Sequence, residues 1–414
     1  MGVNDTMSRH QLAGKSIIVA GAGIAGLAAV RGILRNWPQG AQRPHITVYD
    51  RDPRNLPNER GNYSLGLKSD SRSGGLQALR RLGLIDQIYD ARVVQSDHGV
   101  FISDRNFRSL LPNKRKSAKP IEGLPTTEMR ITRNNIREVM IGAVEDEVEM
   151  KWDLICKTAA VLKNGRVEVG LSDDTMKECD LLIIADGASS KLRACLRPDD
   201  GLNYAGVVVI GGNADFPDGR VPPTLKENSG MILGGDGHSL VVWPTVDNKF
   251  VWFVTRRETK PAVVLRGDEA EAKKDELIAE ALREGAIFSE PFPSLVAATD
   301  PASLKVFNAQ DKPPIAHPQD PFLPYVFVGD ANHAMSPFAG NGANMAIVDG
   351  AVLGEVLCKS ATVAAAVAEF DKDSIPRSAA SIKKSHIVIS VVHASGWRHW
   401  LVLLLARIFG FFLR

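Results

Sequence analysis

The 414-residue sequence predicts an α/β fold in which a parallel sheet is interleaved with a mostly antiparallel one and followed by C-terminal helices. Three observations predict it. The apolar run Ile17 to Ala20 ends in a glycine-rich turn and a helix of small residues. Two further apolar runs, Leu181 to Ala185 and the "YVFVG" before Asp330, each end in an acid. Between these two lie four β-branched and aromatic segments separated by turn residues. Short continuous apolar runs interspersed with helices mark buried parallel strands, and closely spaced runs with Gly, Asp and Asn between them mark an antiparallel meander.

The first element, "KSIIVAGAGIAGLAAVRGILR", places Gly21, Gly23 and Gly26 at GxGxxG spacing directly after a strand. Glycine serves the tight turn, the close approach of backbone to a pyrophosphate, and the strand–helix contact. The helix beginning near Ile24 and Ala25 supplies free amides and a positive dipole end. "HITVYDRD" follows as a second strand ending at Asp50, whose carboxylate suits ribose hydroxyls; a solvated strand-end acid is the alternative. Pro38, Gly40 and Pro44 lengthen the connection between them.

In "CDLLIIADGASSKLRACL" the strand stops at Asp186-Gly187, and Ser190 and Arg193 follow at a helix start. By itself this reads as a turn whose Asp and Ser cap a helix. "GDANHAMSPFAGNGANMA" is more specific. Asp330 lies at the C-terminal edge of a strand, where ligands of open α/β sheets bind. Pro337 offers a rigid apolar surface, Gly340, Asn341 and Gly342 allow close backbone approach, and the helix from Ala343 and Asn344 directs its amides at negative charge.

These motifs together resemble those of the single-component, class A flavoprotein monooxygenases of the para-hydroxybenzoate hydroxylase fold. "ITRNNIREVM" adds an arginine, Arg133, at the family's FAD-contacting position, and with "GLQALRRLGLIDQI" it is especially similar to tetracycline-inactivating hydroxylases and fungal secondary-metabolite monooxygenases. The resemblance runs from about Lys15 to Arg377. Asp50 stands where the family more often has Glu. The resemblance implies that FAD is held by the Gly21–Gly26 turn, Asp50, Arg51, Arg133, Asp186, Gly329 and Asp330, and by the Pro337 to Asn344 segment, with Pro337, Gly340, Asn341 and Gly342 beside the isoalloxazine. It further implies NAD(P)H as co-substrate and O₂ as oxidant, with one oxygen passed from a flavin C4a-hydroperoxide to a small aromatic or polycyclic substrate. The cofactor then carries the chemistry, and no protein acid or base is assigned.

On this reading residues 11–85, 123–199 and 308–360 form a discontinuous Rossmann-like FAD-binding domain. Residues 86–122 and 200–307 form the substrate domain, and 361–414 a C-terminal helical segment with an apolar tail. The strand segments "GVVVIGGNADF", "SGMILGG", "HSLVVWPTV" and "KFVWFVTRRE" have expected turns at Gly212, Asp236-Gly237 and Asp247-Asn248, and "RGDEAEAKKDELIAEALREG" is expected to be a covering helix. "VVWP" resembles a pocket strand of the family, so Trp243 is either a substrate contact or a core residue. His238 and His317 read as turn and loop histidines without a role.

Composition removes other classes. Lys plus Arg is 50 against 48 for Asp plus Glu, a net charge of +2, so no basic field exists to hold nucleic acid. Cys156, Cys179, Cys195 and Cys358 lie in no metal-binding or disulfide spacing, and the N-terminus lacks a signal-peptide core, which suits the cytoplasm. A single GxGxxG disfavours a two-domain Baeyer–Villiger enzyme, and the lack of Trp-x-Trp-x-Ile-Pro disfavours a halogenase. An oxygen-independent flavoprotein oxidoreductase, or a flavin-binding protein without turnover, stays open. The apolar stretch Trp400 to Leu413, interrupted by Arg407, is shorter than the roughly 20 residues of a bilayer span. It is expected to pack on its own domain, self-associate or touch a membrane peripherally.

Overall fold

The computed structural model describes residues 10–56, 63–70, 74–93, 101–110, 120–227, 229–246 and 248–412. At its centre five parallel strands run in the order Tyr325–Phe327, Leu181–Ile184, Ser16–Ala20, His45–Tyr49, Glu149–Lys151. Alternate residues of the central strand enter two cores. Ile17 and Val19 pack beneath the helices, and Ile18 and Ala20 pack beneath the three-stranded sheet formed by Cys156–Val161, Val167–Leu171 and Met176–Cys179. Burial on both faces explains why these strands read as unbroken apolar runs.

Two helices of small residues, Ile24–Asn36 and Gly342–Lys359, cross this sheet side by side. A Cβ at Gly350 would lie 2.5 Å from that of Ala28, and one at Gly354 would lie 2.6 Å from the Gly32 backbone. Contacts pair Ala25 and Ala28 with Gly350 and Gly32 with Gly354, so the helices run parallel. Both N-termini therefore open at the carboxyl edge of the sheet.

The second layer is a six-stranded sheet in the order Lys305–Asp311, Asn203–Asp215, Lys249–Arg257, His238–Pro244, Gly230–Leu233, Phe101–Asp104, antiparallel except for the last pair. One face, with Val208, Ile210, Leu240, Val242, Trp252 and Val254, packs on the helices Lys274–Glu284 and Phe292–Ala297. The other, with Val207, Val209, Phe253 and Phe307, faces Phe338 and the helix Val363–Val392.

Two local expectations change. The strand passes straight through Gly212 to Asp215, because a Cβ there would come within 2.9 Å of Thr299; the glycine marks close packing and not a turn. The charged segment after Arg266 splits into Asp268–Glu271 and Lys274–Glu284. Of the Asp247-Asn248 turn, Asn248 has φ 61°, and Asp247 lies outside the described residues.

Among the described residues no helix is long and apolar enough to cross a membrane. The terminal helix Gly396–Phe412 exposes Trp397, Trp400, Leu401, Leu404, Leu405 and Ile408 at helical spacing, a stripe along one side.

Candidate functional site

The three glycines of the first turn play different parts. Gly21 has φ 110° and packs against the Ala185 carbonyl, while Gly26 packs against the Gly21 carbonyl; a side chain at either would overlap backbone. A Cβ at Gly23, by contrast, meets nothing within 4 Å. The first intrahelical bond runs from Leu27 N to Gly23 O, and the amides of Gly23 to Gly26 have no acceptor among the described residues. No acid stands in the first turn to offset the dipole.

Asp50 is not a solvated acid. It is 9% exposed, and its Oδ2 accepts the Ala22 amide at 2.5 Å while Oδ1 accepts that of Asp52 at 2.7 Å. It braces the glycine turn, and each oxygen keeps one lone pair for a ligand. Burial raises its pKa, and the two amides oppose that rise. The Arg51 side chain is 59% exposed and, among the described residues, pairs with Asp52 at 3.9 Å.

Three acids meet the edge of the sheet, with different loads. Asp186 Oδ2 accepts the Lys191 and Leu192 amides, at 3.0 and 3.3 Å, and Oδ1 is buried with no partner within hydrogen-bond distance among the described residues. Ser190 caps the same helix by accepting the Arg193 amide. Asp330 follows Gly329, whose φ is 58°, and its carboxylate has no hydrogen-bond partner among the described residues. Burial raises its pKa, opposed by the charges of His333, Arg133 and Arg193. The structure thus brings Arg133 and Asp330 into one electrostatic neighbourhood. Arg133 opens the helix Arg133–Gly142, is half-buried, and has no side-chain partner among the described residues.

In the Pro337–Asn341 loop, Pro337 and Gly340 are exposed and Asn341 is buried, its Nδ2 donating to Ser381 while Oδ1 lacks a partner. The helix after it makes its first bond from Met345 N to Asn341 O, leaving the Gly342, Ala343 and Asn344 amides without an acceptor among the described residues. The Asn344 side chain is spent on the protein. Oδ1 accepts the Lys68 and Gly75 amides at 3.0 Å each, and Nδ2 donates to Gly66 O at 2.8 Å. Only its amide remains for a ligand.

The third acid is one that sequence reasoning missed. Asp349, fully buried, accepts from Gly329 N at 2.8 Å, His333 Nε2 at 2.6 Å, Ser374 Oγ at 2.9 Å and Arg377 Nη2 at 3.0 Å. Despite its burial these donors hold its pKa well below the usual carboxylate range, His333 first among them. The hub ties the Gly329 turn to two helices. Its one signal was a lone acid in the apolar helix "NMAIVDGAVLG". Arg193 was read only as part of a helix start, yet it is buried and donates to the Ala331, Ala188 and Asp200 carbonyls, locking the Asp186 turn to the Asp330 helix.

The half-buried side chains Met231, Val241, Trp243, Phe253 and Phe307 share the sheet face that looks toward Phe338. Trp243 lies under the Arg130 guanidinium at 4.0 Å, and Arg130 donates to Ser64 Oγ and O. Ser64 Oγ donates to Pro244 O, and Lys68 Nζ donates to Ala339 O, so the Ser64–Lys68 strand is tied to both the sheet and the loop. Both expected idle histidines are engaged. His317 is 4% exposed, held by Asp371 at 2.8 Å and accepting the Phe327 amide. His238 stands between Asp236 and Glu284, each at 3.1 Å.

An open cradle at Gly23, two sets of uncommitted helix-start amides, an orphaned Asp186 oxygen and an unpartnered Asp330 suit an extended anionic dinucleotide with ribose-type hydroxyls. The comparisons agree. Residues 15–382 match a family described as "FAD binding domain". The monooxygenase cfoF of Aspergillus candidus is 36% identical over 394 residues, 93% of each chain. The crystal structure of Klebsiella pneumoniae HpxO complexed with FAD and uric acid superposes with a TM-score of 0.71 at 20% identity, over 96% of this chain and 94% of that one. That of tetracycline destructase Tet(55) gives 0.69 at 16% identity, over 96% and 97%.

Proposed function

Because the chain belongs to the FAD-dependent monooxygenases built on this FAD-binding domain, we propose that it uses NAD(P)H and O₂ to insert one oxygen atom, by hydroxylation or epoxidation, into a small aromatic or polycyclic substrate. One observation supports the reading above the rest. Phe338 of the Pro337–Asn341 loop packs on the apolar sheet face, while the helix that follows this loop lies against the helix that follows the glycine turn.

In this reading Gly21 to Gly26 receive the pyrophosphate, Asp50 and Asp330 meet hydroxyls, Asp186 offers its free oxygen, and Arg133 adds a permanent cation. Arg51, being exposed, contributes at most at the mouth. When bound, FAD supplies hydride acceptance and oxygen activation. Pro337 and Gly340 give a flat contact surface, and the free amides of Gly342 to Asn344 stabilise negative charge brought to them. Phe338 and the sheet face exclude water, and Trp243 with Arg130 forms one wall for substrate. The names of relatives also support a compact planar substrate, since HpxO was crystallised with uric acid.

The test is NADPH and NADH oxidation by the FAD-loaded protein with and without O₂, over a panel of phenols, heteroaromatics and alkenes. A product with one added oxygen is the expected result. Reduction of acceptors in the absence of O₂, without oxygenated product, would instead make it an oxygen-independent oxidoreductase, and FAD uptake without turnover would make it a binding protein.

A further inference from the structure

Lys305 occupies an unusual place for a lysine. In the strand register it pairs with Gly211, which pairs with Phe253, so Lys305, Gly211 and Phe253 point to the same face of the six-stranded sheet. This is the face toward the Pro337–Asn341 loop. Gly211 has no side chain, so nothing stands between the lysine and the phenylalanine, and Lys305 Nζ lies 5.4 Å from the Phe253 ring centroid. Phe307, two residues along the same strand, closes on Phe253 edge to face at 5.6 Å.

The ammonium stands over the Phe253 ring, and among the described residues no acid partners it. Among the described residues Lys305 makes no hydrogen bond or ion pair, and burial alone pulls its pKa below the ordinary lysine value, with no carboxylate acting to raise it. The other cations near the cleft are different. Arg130 is tied to Ser64 and feels Glu128, and Lys312 is paired with Asp200 at 3.0 Å. A ring at 5.4 Å attracts a cation but does not replace its water or a counter-ion. A partly desolvated ammonium with no acid partner among the described residues is poorly accounted for by those residues and well accounted for by a ligand anion.

We propose that Lys305 is the anion-recognition point of the substrate cleft, pairing with an ionised oxygen on a planar aromatic or enolic substrate flanked by Phe253 and Phe307. The inference rests on the monooxygenase reading and adds the substrate's charge. A single ammonium beside the Phe253 ring fits one oxygen anion on a planar ring; a nucleotide phosphate calls for several converging donors. Holding the substrate as its anion also keeps its ring electron-rich, as transfer of an electrophilic oxygen requires.

The experiment compares FAD-loaded wild type, Lys305→Met and Lys305→Arg for binding of 4-nitrophenolate, at a pH where it is ionised, and of its uncharged methyl ether, 4-nitroanisole, by quenching of flavin fluorescence. The wild type is expected to prefer the phenolate by about tenfold, Lys305→Met to lose that preference, and Lys305→Arg to keep most of it. The KM for NADPH is measured on all three and is expected to stay unchanged. Equal affinity for the two probes in the wild type, binding of neither, or an unaltered preference in Lys305→Met overturns the proposal. A raised KM for NADPH in Lys305→Met, with phenolate binding intact, assigns the lysine to a nucleotide phosphate and also overturns it. Flavin content, measured first, separates a folding defect from a lost contact. Absence of oxygenated product with any substrate would defeat the enzymatic reading and leave the probe result standing.

Discussion

Replacing Gly23 with serine separates folding from cofactor binding more cleanly than any other change in the first turn. Gly23 is the N-cap of the Ile24–Asn36 helix, with φ −82° and ψ −178°, a conformation open to any residue, and a Cβ there meets nothing within 4 Å. Serine is a better N-cap than glycine and removes glycine's excess freedom in the unfolded chain. The apoprotein should therefore gain on the order of 0.5 kcal/mol, or about one degree in Tm. The same hydroxyl occupies the cradle and takes an amide that a phosphate would otherwise receive. Losing one charge-assisted hydrogen bond costs about 1.5–3 kcal/mol, which weakens FAD binding roughly 10- to 150-fold. Flavin-stripped protein is melted by differential scanning fluorimetry and then titrated with FAD by fluorescence quenching. Gly26→Ala serves as contrast. Its Cβ overlaps the Gly21 carbonyl and comes within 3.3 Å of Ala185 Cβ, so it should destabilise the apoprotein itself. Wild-type FAD affinity in Gly23→Ser would refute the placement of the pyrophosphate, and a Tm several degrees lower would refute the open space at Gly23.

Asp330→Asn, which keeps the shape but removes the unpartnered charge, should retain the fold and release FAD more readily on gel filtration; undiminished retention would contradict its assignment to a ligand hydroxyl. His393 is 4% exposed and bonded to Thr255 and Ile389, and burial lowers its pKa from 6.5 to about 4. Between those two values the unfolded chain binds more protons than the folded protein, so stability rises with pH across that window. The total is about 3 kcal/mol. His393→Gln should flatten the urea midpoint between pH 4 and 6.5, apart from what the carboxylates contribute. Truncation after Gly396 removes Trp397, Trp400 and the apolar stripe, and should alter vesicle co-sedimentation or oligomeric state without loss of FAD; flavin loss on truncation would show that the helix supports the site.

The backbone requirements of the nucleotide turn were legible because each is met within a few residues. Gly21, Gly23 and Gly26 report a positive φ, an open approach and a close packing contact through the absence of a side chain, and apolar runs of four or five residues report strands buried on both faces. The helix start at Gly342 was legible for the same reason. Partnerships across the chain were not. Gly212 looked like a turn because glycine is an ambiguous sign, and only the approach of Thr299 makes it a strand residue. Nothing local showed that the Asn344 side chain would be held by Gly66, Lys68 and Gly75, and His317 looked idle until Asp371 claimed its ring.

The sequence alone determined that this chain builds a dinucleotide cradle at the carboxyl edge of a parallel sheet, since the residues that shape the cradle are neighbours along the chain. Only the tertiary structure decided which acids are free to meet a ligand. Asp330 is left open while Asp349, nineteen residues on, is consumed by Gly329, His333, Ser374 and Arg377. It also decided that Lys305 shares the sheet face of Phe253, with no counter-charge among the described residues. The partners that satisfy or fail to satisfy a charge arrive from strands and helices distant in sequence, and no local pattern records their approach.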